Sequence, residues 1–276
     1  HPWWLGNLWG GGGGGPVDSV DNPFAGMSLS GIPVGEGTVT LEITDQERWI
    51  NINSAYRNPI LMESALSMAG AGASEASVIT DALVDWVDRD NIPQAANGAE
   101  SDFYLSLPQP FEAKNGVIDD LRELLLIQGV TPAIFWGPKW RVSAMGSGED
   151  PRDTASMADG NDAGAGLSEL FCTVSTGRIN VNTAPEPVLR LLLGGDAARA
   201  REAVRLREEL PARDVGDVAR LLNGVSGVTA AGQLSVQSFT YSVRVTAQLG
   251  AARETFVGLI SRSGARDYQT LSFRRD

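Results

Sequence analysis

The phrase Ile50-Asn51-Ile52-Asn53-Ser54-Ala55 recurs far along the chain as Ile179-Asn180-Val181-Asn182-Thr183-Ala184. Each copy ends an alternating, strand-like stretch and opens one with helical periodicity, so the same local event happens twice. The chain is therefore expected to contain two related helical units. In the second copy Thr183 precedes Glu186 by three positions with Pro185 between them, the arrangement of a capping box at a helix start. In the first copy Ser54 stands as the cap, and Arg57 replaces the glutamate.

A chain of 276 residues with 42% hydrophobic content can bury one large core or two ordinary ones. Its formal net charge of -12 disfavours a surface that gathers nucleic acid or anionic lipid. The excess is local. Residues 81–120 carry nine acids against Arg89 and Lys114, and residues 146–170 carry six against Arg152, which points to a cation or a basic partner. The single cysteine, Cys172, excludes an internal disulfide, and the single histidine, His1, excludes a histidine-based triad or metal site. Cys172 lies in the apolar run Leu170-Phe171-Cys172-Thr173-Val174 and is expected to be a buried, inert thiol. No carboxylate pair stands out as a hydrolase site, so no enzyme is expected. No long apolar span is present, and a chain that begins at His1 is expected to be processed or cut from a longer one.

Composition divides the chain further. Residues 1–36, with Trp3, Trp4 and Trp9 ahead of a glycine run at 10–15, read as a flexible N-terminal segment. Residues 37–54 alternate as the first part of a sheet domain, and 55–166 read as a first helical unit with acidic loops, including a helix at 74–87 and another capped by Asn115. Residues 167–183 read as a strand connection that contributes to the sheet up to about residue 180, and 184–235 as a second helical unit in three short helices. Residues 236–276 return to alternation as three strands. A lone strand at the front is useful only if it joins the sheet at the back, which makes the helical block an insertion. The fold class is α+β, with Leu41, Ile43, Phe239, Tyr241 and Phe273 expected in the sheet core.

Val84-Asp85-Trp86-Val87-Asp88-Arg89-Asp90, Gly98-Ala99-Glu100-Ser101-Asp102-Phe103-Tyr104, Leu121-Arg122-Glu123-Leu124 with Gly129-Val130-Thr131, and Arg178-Ile179-Asn180-Val181-Asn182-Thr183-Ala184-Pro185 stand in an order that resembles the K-type minor pseudopilins of bacterial type II secretion. The resemblance covers about residues 37–276. It implies a pilin-like antiparallel sheet domain interrupted by a large helical domain, and a hydrophobic N-terminal helix that this chain lacks. It also implies a place at the tip of a periplasmic pseudopilus with I-type and J-type minor pseudopilins, in a parent anchored in the inner membrane of a Gram-negative bacterium. Contact with secreted substrates or with the outer-membrane channel is a further possibility the resemblance raises.

Asp81, Asp85 and Asp88 share a helical face, Asp90 comes next, and Glu100 and Asp102 return after Gly98. Carboxylates this dense are either solvated or neutralised by a hard cation with oxygen ligands, and the spacing is not that of an EF-hand. The family resemblance, which implies bound calcium, makes Asp85, Asp88, Asp90, Glu100 and Asp102 the candidate ligands. A second acidic stretch, Glu149-Asp150-Pro151-Arg152-Asp153 and Asp159-Gly160-Asn161-Asp162, reads as a solvated loop.

The Ile-Asn-Val-Asn-Thr-Ala phrase also resembles the opening of helix-hairpin-helix modules that bind the DNA backbone. Against that alternative, Asp196 comes after Gly194-Gly195 where a phosphate would sit, and residues 178–222 hold eight arginines against seven acids. The hairpin therefore reads as a packing unit, and no nucleic-acid partner is expected.

Overall fold

The computed structural model describes residues 28–137, 164–222, 234–264 and 267–276. The chain opens with β1 (Ser28–Val34) and β2 (Gly37–Asp45), then leaves through β3 (Ile50–Asn51) into α1 (Ile52–Ala55), α2 (Pro59–Met68), α3 (Ala73–Val87) and α4 (Ser101–Leu105). A 3-10 turn at Leu121–Leu126 and α5 (Pro132–Trp136) come after. The second described stretch holds α6 (Leu167–Leu170), β4 (Phe171–Cys172), β5 (Ile179–Asn180), α7 (Glu186–Leu192), α8 (Ala197–Glu209) and α9 (Val215–Leu221). Next come β6 (Leu234–Ser235), β7 (Thr240–Leu249), β8 (Ala252–Arg262) and β9 (Tyr268–Arg275).

Five strands make one antiparallel sheet in the order β1-β2-β7-β8-β9. Because β2 pairs directly with β7, the helical block is inserted between two neighbouring strands. The pleat places Leu41, Ile43, Val243, Val245 and Phe256 on one face, and Glu42, Arg244, Thr246 and Thr255 on the other. The helices cap themselves from short polar residues. Asn58 accepts from Leu61 N at 3.2 Å ahead of Pro59, Asp196 from Arg199 N at 3.0 Å, and Asp214 from Asp217 N at 3.0 Å.

The hydrophobic core lies in the helical block and is shared by both units. Ile52, Met62, Leu66, Ile79 and Leu83 from the first pack in one cluster with Val188, Leu189, Ala200 and Leu222 from the second. Phe171, Leu167 and Leu170, all buried, join that cluster from the connection between them.

Five expectations need correction. Residues 28–34, read within a flexible segment, form edge strand β1, which tolerates Gly31 and Pro33 and whose register shifts between Leu29 and Ile32. Trp3, Trp4, Trp9, the glycine run and the second acidic stretch lie outside the described residues. The connection at 167–183 does not join the main sheet: β4 pairs in parallel with β3, and β5 with β6. Asn115 does not cap a helix, since its φ is 47° and Asp120 caps the 3-10 turn, accepting from Arg122 N at 2.9 Å while Glu123 returns to Asp120 N at 3.0 Å. Thr183 and Ser54 are not caps either: Asn51 caps α1 and Ser54 lies inside that helix, while Pro185 stands at the N-cap position of α7 with no side-chain cap bond. The expected sheet core is only partly buried: Tyr241 is enclosed, Leu41, Ile43 and Phe239 are half-buried, and Phe273 is 63% exposed on β9.

Candidate functional site

The repeated phrase does the same work twice. Asn51 Oδ1 accepts from Asn53 N at 2.9 Å, and Asn180 Oδ1 from Asn182 N at 3.0 Å, each bending the chain sharply at the end of a two-residue strand. The second asparagine of each copy then grips a remote backbone. Asn53 accepts from Ile118 N at 2.8 Å and donates to Ile118 O at 2.9 Å; Asn182 accepts from Ala212 N and donates to Ala212 O, both at 2.9 Å. The flanking Ile50, Ile52, Ile179 and Val181 are buried.

A polar hub joins the sheet to this body. Asp45, at the end of β2, accepts from Glu47 N at 2.8 Å, Ser238 Oγ at 2.6 Å and Thr183 Oγ1 at 2.5 Å. Glu47, wholly buried, accepts from Thr176 N, Phe239 N and Thr240 N, and its carbonyl accepts from Asn180 N at 2.8 Å. Burial pushes the Asp45 carboxyl up to about 6, opposed by the two hydroxyl donors and reinforced by the Glu47 charge. Asp45 and Glu47 read only as turn residues in the sequence, because nothing local shows that donors from Thr183, Ser238 and Thr240 converge on them. Cys172, beside this hub, is buried, and desolvation raises its thiol to about 12, consistent with an inert cysteine.

The acidic constellation forms where α3 ends. Asp88 caps the C-terminus of α3, and the chain loops through Asp90 to Glu100 at the start of α4. Asp88, Asp90 and Glu100 each bring a carboxylate oxygen within 4.8 Å of the others. Asp85 is 0% exposed on the inward face of α3, with Oδ1 accepting from Gln94 N at 2.8 Å. Asp102 stands apart from the three, exposed in the first turn of α4. A Cβ at Gly98 would run into Asp85 Oδ2, so this loop closes only over a glycine.

Several of the oxygens here lack donors. Asp85 Oδ2, Asp88 Oδ1 and both Glu100 oxygens are buried without a hydrogen-bond partner in the protein, as is Asn115 Oδ1, whose Nδ2 donates to Asp90 O at 3.1 Å. Burial raises all three carboxyls, Glu100 to about 7, with the neighbouring acids adding to each. An all-oxygen set with unsatisfied lone pairs and mutual repulsion fits a hard divalent cation. Sequence reasoning misses Asn115 as part of this neighbourhood, because it treats that residue as a helix cap.

Two of the hairpin arginines, Arg199 and Arg207, are engaged inside the fold. Arg207 donates to Val181 O at 2.8 Å, Arg199 to Leu222 O at 2.9 Å, and Arg205 pairs with Glu202 at 2.7 Å. Arg199 and Arg207 tie α8 to its neighbours, which supports the packing reading of this unit, while Arg205 pairs within the helix on its exposed face.

Comparison with known proteins agrees with this arrangement. The family described as type II secretion system (T2SS), protein K matches at residues 51–139 and 179–237, together more than half of the chain and one stretch for each copy of the repeated phrase. Type II secretion system protein K of Pseudomonas aeruginosa is 26% identical over 90% of this chain and 68% of its own length. The protein of the same name from Pectobacterium carotovorum is 32% identical over 41% of this chain, so the match spans about two fifths of that relative, 39%. The fold is shared with a chain in the crystal structure of the GspK-GspI-GspJ complex of enterotoxigenic Escherichia coli, at a TM-score of 0.64 and 19% identity, covering 92% of this chain and 85% of that one. The chain belongs to the type II secretion system protein K family, the K-type minor pseudopilins.

Proposed function

We propose that this chain caps the tip of a type II secretion pseudopilus and helps start its assembly, in complex with I-type and J-type minor pseudopilins. The observation that carries the reading is the insertion of a whole helical body between the adjacent strands β2 and β7. A subunit carrying such a mass on its sheet would obstruct a neighbour stacked above it in a helical filament, whereas at an end it obstructs nothing. The apolar sheet face bearing Leu41, Val245 and Phe256, half-buried among the described residues, supplies surface for assembly. The complex named for the solved GspK relative supports the choice of partners. The corresponding location is periplasmic, with the parent held at the inner membrane; no described helix is long and apolar enough to cross a membrane.

Calcium belongs to the same proposal. Asp88, Asp90 and Glu100 would hold the ion, with Asp85 behind them, while Asp102 is placed too far out on α4 to share the group. The ion would supply the positive charge that the unpartnered oxygens lack and brace the loop between α3 and α4.

Size exclusion with light scattering on this chain mixed with soluble I-type and J-type pseudopilins tests the assembly. A one-to-one-to-one complex supports the tip reading. Three separate peaks at high micromolar concentration overturn assembly through these domains.

A further inference from the structure

We infer that the outer edge of β9 is a docking strand for an extended segment of another protein, one that alternates acidic and apolar side chains. All eight residues of β9 are exposed, and among the described residues only β8 pairs with it. Sheet edges of this kind are usually blunted. The opposite edge, β1, is blunted by Pro33, by Gly31 at φ 69° and by a register shift, whereas β9 contains no proline and no glycine. The one irregularity in its pairing to β8 lies between Leu259 and Ile260.

The side chains define the occupant. Register places Tyr268 and Phe273 on the apolar face of the sheet, where Phe273 stacks on Phe256 at 5.4 Å yet stays 63% exposed. An added strand would extend this face with apolar side chains at every second position. Arg274 points to the other face, and Arg275, opposite Phe256, ends the strand at the margin of the apolar face, with side chains 67% and 70% exposed. Their ion pairs, to Asp120 at 3.8 Å and Glu254 at 2.7 Å, are surface pairs that a competing carboxylate can displace at little cost. Residues 236–276 carry six arginines against Glu254, Asp267 and Asp276, a local basic surplus in a chain of net charge -12. A second copy is a poor occupant, because neither edge strand, SLSGIPV nor YQTLSFRR, offers a carboxylate.

Amide hydrogen exchange on the full chain tests this with two capped octapeptide probes, one alternating Glu and Val, the other Lys and Val. The Glu-Val peptide is expected to slow exchange of the outward-pointing amides within 268–275 by about tenfold or more, less so as salt rises, while the Lys-Val peptide leaves it unchanged. The double variant Arg274→Glu with Arg275→Glu is expected to reverse that preference, with unchanged exchange in β7 reporting an intact sheet. The wild-type result stands without the variant if the variant fails to fold. Four outcomes overturn the proposal: outward-pointing β9 amides already protected in the free chain, no protection by either peptide, equal protection by both, or protection that appears only with self-association.

Discussion

Asn182 and Ala212 exchange two hydrogen bonds, each 2.9 Å long, so that one side-chain amide closes on a backbone N–H and C=O of the same remote residue. Asn53 does the same to Ile118. A primary amide alone among the side chains offers a donor and an acceptor side by side in one plane, and the shorter reach of asparagine over glutamine fixes the distance. Ala212 and Ile118 are both buried at 1% exposure, so neither backbone can turn to water if the clamp is lost. Asn182→Asp, which turns the donor into a second acceptor facing Ala212 O, should cost about 2–3 kcal/mol in urea unfolding. Asn53→Asp should cost a similar amount. A change under about 0.5 kcal/mol in either would show that the clamp is incidental.

Glu100 links the acidic cluster to a measurable sign reversal. Without a cation its carboxyl is held beside Asp85, Asp88 and Asp90 in a buried place, so stability is lost as pH rises from about 4.5 through about 7. Glu100→Gln removes that repulsion, so the variant should melt higher than wild type in chelator, by about 1–2 kcal/mol of stability. With calcium the order should invert, because a ligand is lost; wild type gains about 2.7 kcal/mol at a hundredfold excess over Kd and the variant little. Thermal melts of both proteins, with calcium and with chelator, decide it. An equal calcium shift in both would remove Glu100 from the site.

Asp45 gives the hub a pH dependence of defined sign. Its folded carboxyl titrates at about 6 against an ordinary 3.8, so the folded protein holds a proton that the unfolded chain has released between those values. The stabilisation from protonated Asp45 is therefore complete below about pH 3.8 and lost as pH rises through about 6. Relative to Asp45→Asn, which cannot ionise, wild type should lose on the order of 2–3 kcal/mol between pH 4 and pH 7. Parallel denaturant curves would contradict the assignment.

How far the chain alone reveals its structure depends on how local each cause is. The paired Ile-Asn phrases, the three helices after Pro185 and the alternation of β7, β8 and β9 are set by neighbours in sequence, and the helices and strands stand where that patterning puts them. The purpose of Asn53 and Asn182 is not legible, because their partners Ile118 and Ala212 are 65 and 30 residues away. Asp45 and Glu47 look like exposed turn residues, since acids are rarely buried, and only the returning β7 and the Thr183 hydroxyl make burial tolerable. In the acidic cluster the carboxylates can be named from sequence but not sorted. Asp88, Asp90 and Glu100 converge and Asp102 does not, because Glu100 is the N-cap of α4 and Asp102 already lies in its first turn on an exposed position.

Gly98 offers a test of that loop that leaves every carboxylate in place. Its backbone passes so close to Asp85 that a methyl group would meet Oδ2, with Gln94 N at 2.9 Å and Pro93 Cβ at 3.0 Å on the other sides. Asp85 cannot yield freely, because its Oδ1 holds Gln94 N at 2.8 Å and its side chain is fully enclosed. Gly98→Ala must therefore push the loop outward, carrying Glu100 away from Asp88 and Asp90. The strain should cost about 1–3 kcal/mol. Loss of the converging geometry should also weaken calcium binding by about tenfold or more, read by isothermal titration, since cation affinity tracks how many ligands are held in place together. If Gly98→Ala bound calcium as tightly as wild type, the ion would not sit between Asp88, Asp90 and Glu100, whatever its effect on melting.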